Sequence, residues 1–116
     1  MTDRDLLIPH GLLEEARRFV ASDVQPSVPA EVLVSVLLDH ESYWVVSYQT
    51  CAAMKGDIGQ SLAGNQPFRV DLADDGPKAT GFIDDAEQDL EPRREILLDT
   101  NGDITQVFDD LSLIHI

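Results

Sequence analysis

The stretch from Leu62 to Gly76 restricts the fold of this chain more than any other, because it reads as a strand enclosed by two turns. A Gly-Asn pair at 64 and 65 is typical of the first turn. Apolar and polar residues then alternate over residues 68–72, which is the period of a half-buried strand. Pro67 fits the first residue of that strand, and the Asp-Asp-Gly sequence at 74–76 predicts a hairpin turn at its end.

Two other patterns predict a helix and a pair of strands that pack together. Apolar residues recur at helical spacing over residues 12–20, and Glu14 and Arg18 lie four residues apart on the polar face, which predicts an ion pair. Residues 32–38 are apolar on both faces, so they predict a central strand that the helix covers on one side. A short loop then leads to another strand at residues 43–50.

The remaining segments predict further strands and a short second helix. Residues 78–83 should pair with the strand before them, and the Asn-Gly turn at 101 and 102 should join strands at 96–98 and 104–108. Residues 84–91 suit a short helix, and Asp57 suits the N-cap of another that ends at Gly64. These elements predict an α+β fold: a mainly antiparallel sheet of four to six strands, an N-terminal amphipathic helix packed on one face and a short second helix.

The chain is short enough for one domain with a flexible start. Pro9 and Gly11 delay the first helix, so residues 1–11 are expected to form a flexible N-terminal arm. Residues 12–110 are expected to form a single α+β domain. Residues 111–116 match the translation of a transposon adapter used to prepare sequencing libraries, so we expect an adapter-derived, non-native tail there and assign no function to His115.

The charge of the chain limits its partners. With 22 acidic and 8 basic residues, the 116-residue chain has a net charge of -14. Such a surface repels the phosphates of nucleic acids and anionic membranes, and it attracts basic proteins. The single cysteine, Cys51, excludes an internal disulfide and suits a reducing compartment, and the first residues carry no secretion signal. We therefore expect a cytoplasmic protein that binds neither nucleic acid nor membrane.

The turn and strand described first also carry a resemblance to a known family. A strand that contains Trp44 is followed by a Gly-Asn-x-Pro turn, formed by Gly64, Asn65 and Pro67, and by a strand that leads to Gly76. This arrangement resembles the YrhB-type domain, also called the immunity protein 35 family, over about residues 12–91. Members of that family are small α+β proteins of bacterial polymorphic toxin systems. We interpret these five residues as structural.

The resemblance implies a binding function without catalysis and without a cofactor. A member of this family would be an immunity protein that binds and neutralises a cognate toxin domain, and the acidity of this chain suits a basic toxin. The alternative is a stand-alone chaperone-like or adaptor domain of the same family. The carboxylates expected to form the toxin-binding surface are Asp74, Asp75, Asp84, Asp85, Glu87 and Asp89.

Residues that could belong to catalytic or metal sites do not complete a known pattern. Asp99, Asn101 and Asp103 match the first ligands of a calcium loop, but Ile104 occupies the position where that loop needs glycine. Cys51 would need a histidine partner to act as a nucleophile, and no catalytic signature surrounds it. We therefore expect no metal site and no enzymatic activity.

Overall fold

A computed structural model gives the fold and describes residues 7–28, 30–57, 59, 66–83 and 91–109. The elements are helix α1 (Leu12–Phe19), strands β1 (Val32–Asp39) and β2 (Tyr43–Thr50), helix α2 (Cys51–Met54), and strands β3 (Phe68–Ala73), β4 (Gly76–Phe82), β5 (Arg94–Leu98) and β6 (Ile104–Asp109). All neighbouring strands pair antiparallel, in the order β4-β3-β2-β1-β5-β6. The predicted fold class, with its N-terminal helix and short second helix, is confirmed.

Helix α1 packs on one face of the sheet because its apolar residues share one side. The chain continues from it through a π-helical turn, Val20–Val24, and a 3-10 turn, Gln25–Ser27. The ring of Phe19 stacks on that of Phe68 in β3, with centroids 4.3 Å apart, and this contact ties the helix to the sheet. The helix residues that are buried are Leu12, Leu13, Ala16 and Phe19.

Strand β1 lies in the middle of the sheet, as its apolar character predicts. It pairs with β2 on one side and with β5 on the other, and a bulge interrupts its register between Val34 and Val36. In β2, Trp44 and Val46 point into the core beneath α1. Val45 lies between them and is buried outside that core, because alternate residues of a strand face opposite sides of the sheet.

The outermost strands, β4 and β6, belong to two hairpins that the sequence predicts. Asp74 and Asp75 connect β3 to β4, and the next residue, Gly76, has a φ of 120°, which L residues rarely adopt. Residues 99–103 connect β5 to β6, with Gly102 at a φ of 82°. Both predicted hairpins are confirmed, and they place β4 and β6 at the two edges of the sheet.

The ion pair predicted between Glu14 and Arg18 is wrong. Arg18 instead donates to both carboxylate oxygens of Glu15, at 2.7 and 2.8 Å. Oε2 of Glu15 also accepts the N–H of Ala79 in β4 at 2.8 Å. Glu15 therefore bridges the helix to an edge strand, a role that helical spacing alone does not reveal.

The second helix and the start of the chain differ in detail from expectation. Helix α2 directly follows β2, and Thr50 caps it by accepting the N–H of Ala53 at 3.1 Å. Asp57 lies beyond α2, and residues 84–90 are outside the described residues. Within the expected N-terminal arm, Ile8 is buried as part of the core, while residues 1–6 are also outside the described residues.

Candidate functional site

The β1–β2 and β3–β4 hairpins turn at the same end of the sheet. Tyr43, the first residue of β2, pairs with Asp71 near the end of β3. The N–H of Leu72 donates to the carbonyl of Ser42 at 3.2 Å and so joins the two hairpins directly. We refer to residues 39–43 and 71–75 as the hairpin end.

The hairpin end presents three carboxylates to solvent. The side chains of Glu41 and Asp75 are 79% and 67% exposed, and Asp74 is also exposed. Asp75 forms an ion pair with Lys78 at 2.7 Å, and the hydrogen bond from Lys78 lowers the pKa of Asp75. Leu72 is exposed beside these groups.

A buried carboxylate holds the β1–β2 loop. Asp39 is only 1% exposed; its Oδ1 accepts the N–H of Glu41 at 2.8 Å, and its Oδ2 accepts Nε of Arg93 at 3.1 Å. Arg94 lies 4.0 Å from the same oxygen, so the buried charge is balanced. Glu41 has a φ of 76°, a left-handed conformation that is uncommon outside glycine. The loop thus fixes Glu41 with its side chain in solvent.

Planar side chains lie next to this loop. The guanidinium group of Arg69 sits 4.0 Å from the centre of the Tyr43 ring, and Nε of Arg69 is 2.5 Å from the carboxylate of Asp71. The ring of His40 is parallel to that of Tyr43, with centroids 4.8 Å apart. Burial lowers the pKa of His40, Asp39 opposes this shift, and Arg69 adds to it. Ordered tyrosine and arginine groups of this kind are enriched at protein interfaces.

A cavity of about 240 Å³ opens beside the hairpin end. A larger cavity of about 310 Å³ lies at the opposite end of the sheet, between α1 and the β5–β6 turn, and Arg17, Val20 and Gly102 contribute to its wall. Of these two cavities, the smaller one borders the exposed carboxylates of the hairpin end. Its lining beyond residues 7–10 consists of Asp39, Glu41, Trp44, Leu72, Arg93 and Arg94.

The structure places two of the six predicted toxin-binding carboxylates, Asp74 and Asp75, together at the hairpin end. Sequence reasoning missed Glu41, although the loop that carries it is predicted, because acidic residues concentrate further along the chain. An aspartate two residues before Glu41 is the local signal, since such side chains often accept a main-chain N–H in turns. The other predicted carboxylates, Asp84, Asp85, Glu87 and Asp89, lie outside the described residues.

Three of the residues that carry the family resemblance occupy internal or turn positions. Trp44 is buried in the core, and Gly76 follows the β3–β4 turn. Pro67 lies immediately before β3, and its carbonyl accepts the N–H of Ile83 at 3.0 Å. Gly64 and Asn65 lie outside the described residues.

The described part of the chain shows how its remaining polar residues are used. Within it, no three His, Cys, Asp or Glu side chains are grouped closely enough to hold a metal ion. In the β5–β6 turn, Oδ1 of Asp99 accepts the N–H groups of Asn101 and Asp103 at 2.8 and 3.0 Å. Cys51 follows the far end of β2, so the eight residues of that strand, about 25 Å, separate it from His40.

No helix of the described ranges is long and apolar enough to cross a membrane.

Comparisons of the chain with protein-family models, with curated proteins and with solved structures found no match.

Proposed function

We propose that this protein is a cytoplasmic immunity protein that binds a basic bacterial toxin domain and neutralises it without catalysis. The observation that carries this proposal is the exposure of Glu41 and Asp74 beside Leu72 at the hairpin end of the sheet. The whole chain has a net charge of -14. The resemblance to the YrhB-type domain supplies the class of partner. A basic partner fits because opposite charges accelerate encounter and disfavour wrong partners.

The hairpin end is patterned in charge rather than uniformly acidic. Glu41 has its nearest cation, Arg93, 3.9 Å away, and Asp74 forms no ion pair with any residue that the structure describes. These two carboxylates are therefore the ones most accessible to a cationic partner. The close ion pairs of this region are Arg69–Asp71, Lys78–Asp75 and Arg93–Asp39.

The same surface offers contacts that would hold the partner after encounter. Leu72 supplies an exposed apolar side chain, and Tyr43 is kept in place by Arg69. Side chains that are already ordered lose little entropy on binding, so they suit a stable interface. Charge would then set the rate of association, and Leu72 and Tyr43 the lifetime of the complex.

The test uses the purified toxin domain encoded beside this gene and measures its association rate over a range of salt concentrations. Glu41→Gln combined with Asp74→Asn should slow association about 3- to 10-fold and flatten its salt dependence. The matched control, Glu31→Gln with Asp57→Asn, removes two exposed carboxylates at the opposite end of the sheet. Equal slowing by both pairs would exclude the hairpin end as the docking site. Failure of the wild-type chain to bind the toxin domain would overturn the proposed function.

Exposed apolar side chains favour a second function, that of a chaperone-like or adaptor domain. Leu72, Phe82 and Phe108 are 36%, 46% and 39% exposed. Such groups could bind unfolded clients weakly and without selectivity. A chaperone-like domain should suppress the aggregation of unrelated unfolded proteins, whereas an immunity protein should protect only against its own toxin.

A further inference from the structure

Over residues 76–79, before its bulge, the edge strand β4 offers no free main-chain donor to another strand. Alternate residues of an edge strand direct their N–H and C=O groups away from the sheet, where a further strand can bind them. Ala79 donates its N–H to Glu15 of α1, so residue 79 faces outward, and so does Pro77 two residues before it. Pro77 has no N–H, and the N–H of Ala79 is occupied. A bulge at Thr80 ends the regular stretch.

The other edge strand, β6, directs different residues outward. The carbonyl of Leu97 in β5 faces β6, because it accepts the hydroxyl of Thr105 at 3.3 Å. Leu97 pairs with Gln106, so alternation makes this a hydrogen-bonded pair and turns the main chain of Gln106 towards β5. The next residue, Val107, then directs its N–H and C=O groups away from the sheet.

Strand β6 lacks the proline that blocks an outward-facing position of β4. Residues 104–109 contain no proline, glycine or lysine. The same alternation directs the main chain of Asp109 outward with that of Val107. A register shift next to Leu98 places the bulge at the start of β6, so residues 106–109 remain regular.

The surroundings of β6 define what it would bind. Residues 104–108 carry no charge, and Thr105, Gln106 and Phe108 are exposed. Asp103 precedes the strand and is exposed, and near its other end Phe108 and Asp109 pair with Glu95 and Arg94 of β5. An incoming strand would therefore meet an uncharged centre with an exposed carboxylate, that of Asp103, at one end.

We propose that β6 is a docking strand that binds an extended segment of the basic toxin domain as a seventh strand of the sheet. The inference rests on the proposed function for the identity of the partner. The chemistry of β6 selects a segment that is uncharged in the middle and carries lysine or arginine at the end that meets Asp103. A second copy of this chain fits poorly, because two chains of net charge -14 would bring like charges together.

The position of β6 is compatible with simultaneous contact at the hairpin end. Asp109 pairs with Arg94 of β5, and Arg94 pairs with Asp39, where the hairpin end begins. Only β5 separates β6 from β1, so the two regions lie about 10 Å apart across the sheet. One toxin domain can therefore add its strand to β6 and reach Glu41 with a neighbouring basic residue.

Amide hydrogen exchange of the full chain tests this proposal, with and without a saturating amount of the toxin domain encoded beside the gene. In the free protein, the amides of Gln106 and Phe108 should be protected, and those of Val107 and Asp109 should exchange fast. In the complex, all four amides should be protected, while the exchange of Ala79 in β4 should stay unchanged. If Val107 and Asp109 still exchange fast in a stable complex, the docking strand is overturned and the proposed function stands. Absence of a complex overturns both.

A matched pair of variants at Val107 tests whether its outward N–H contributes to the affinity for the toxin domain. Val107→Pro removes the outward N–H without removing a ladder hydrogen bond, and Val107→Ala loses similar packing but keeps that N–H. The proline variant should bind the toxin domain at least about 10-fold more weakly than the alanine variant does. Equal affinities of the two variants would overturn the docking strand. Circular dichroism and thermal unfolding of both variants verify that the fold is retained.

Discussion

On residues 76–79 of β4, a proline and a glutamate from α1 account for the two outward-facing positions, whereas on β6 the outward-facing residues, Val107 and Asp109, each carry an N–H. Both edges expose a phenylalanine, so apolar exposure does not distinguish them. Their main chains do. An unprotected edge is a general hazard because it pairs with other chains. Among the described residues, β4 is sealed over residues 76–79 and β6 has no such seal, which supports our proposal that pairing takes place at β6.

The seal on β4 is electrostatic as well as geometric. The hydrogen bonds from Arg18 are the largest cause that lowers the pKa of Glu15 from 4.5 to about 2, burial opposes the shift, and the N–H of Ala79 adds to the lowering. The carboxylate is therefore ionised at neutral pH and accepts from Ala79 as a charged group. Hydrogen bonds to charged groups are stronger than neutral ones, so this contact is a stable part of the fold.

Removing Glu15 should have the largest effect on the difference between the edges. Glu15→Ala replaces the hydrogen bond from Ala79 to a charged carboxylate by one to water and should lower the free energy of unfolding by about 1–3 kcal/mol, measured by urea denaturation. The amide of Ala79 should then exchange as fast as that of Val107. Glu14→Ala is the control, since Glu14 is exposed on the same helix, and it should change stability by about 0.5 kcal/mol or less. Slow exchange of Ala79 in Glu15→Ala would show that Glu15 does not seal the edge.

The same contact should make stability depend on acid pH. The pKa of Glu15 is lower in the folded state than its ordinary value of 4.5, so its stabilisation is complete above that pH and is lost as the pH falls towards 2. Glu15→Gln has an amide oxygen that can accept from Ala79 but no charge to lose. The wild-type chain should therefore lose stability more steeply than this variant over that range. Parallel curves would contradict the charged contact.

The turns that lead into the two edges should respond differently to an added methyl group. Gly102, before β6, has a positive φ, and a Cβ there would collide with the guanidinium group of Arg17, whereas a Cβ at Gly76 would meet open space. Gly102→Ala should destabilise the chain by about 1–2 kcal/mol through the left-handed backbone, plus the cost of displacing Arg17. In an Arg17→Ala background that second part should disappear, while the effect of Gly76→Ala should not change. Strict additivity of Gly102→Ala and Arg17→Ala would refute the collision.

Local signals in the sequence were sufficient to predict the strands and the turns that join them. The alternation in β3, the two-sided apolar run in β1 and the Asn-Gly turn before β6 each depend on residues that are adjacent in the chain. Helical spacing was insufficient to predict the ion-pair partner of Arg18. Spacing favours Glu14, but Arg18 binds Glu15, which also accepts the N–H of Ala79. That contact joins residues 64 positions apart, so only the order of strands reveals it.

The candidate site follows the same rule: features set by neighbouring residues were predictable, and long-range pairings were not. Asp74 and Asp75 were predicted because acidic residues concentrate in that part of the chain, and their position in a hairpin turn accounts for their exposure. The carboxylate that orders the β1–β2 loop, Asp39, pairs with Arg93, which is 54 positions away, and no local pattern indicates that pairing. The open edge of β6 likewise depends on which strands are outermost, and the sequence leaves strand order undetermined.

Replacing the proline of β4 should have the smallest effect and should sharpen the comparison most directly. Pro77→Ala adds an outward N–H while Ala79 remains bound to Glu15, so the edge should open at one position only. Stability should fall by about 0.4–1 kcal/mol, because the unfolded chain gains conformational freedom. Hydrogen exchange should find the new amide at position 77 unprotected and the amide of Ala79 still protected. Protection at position 77 would mean that this residue faces β3, and β4 would then be sealed by Glu15 alone.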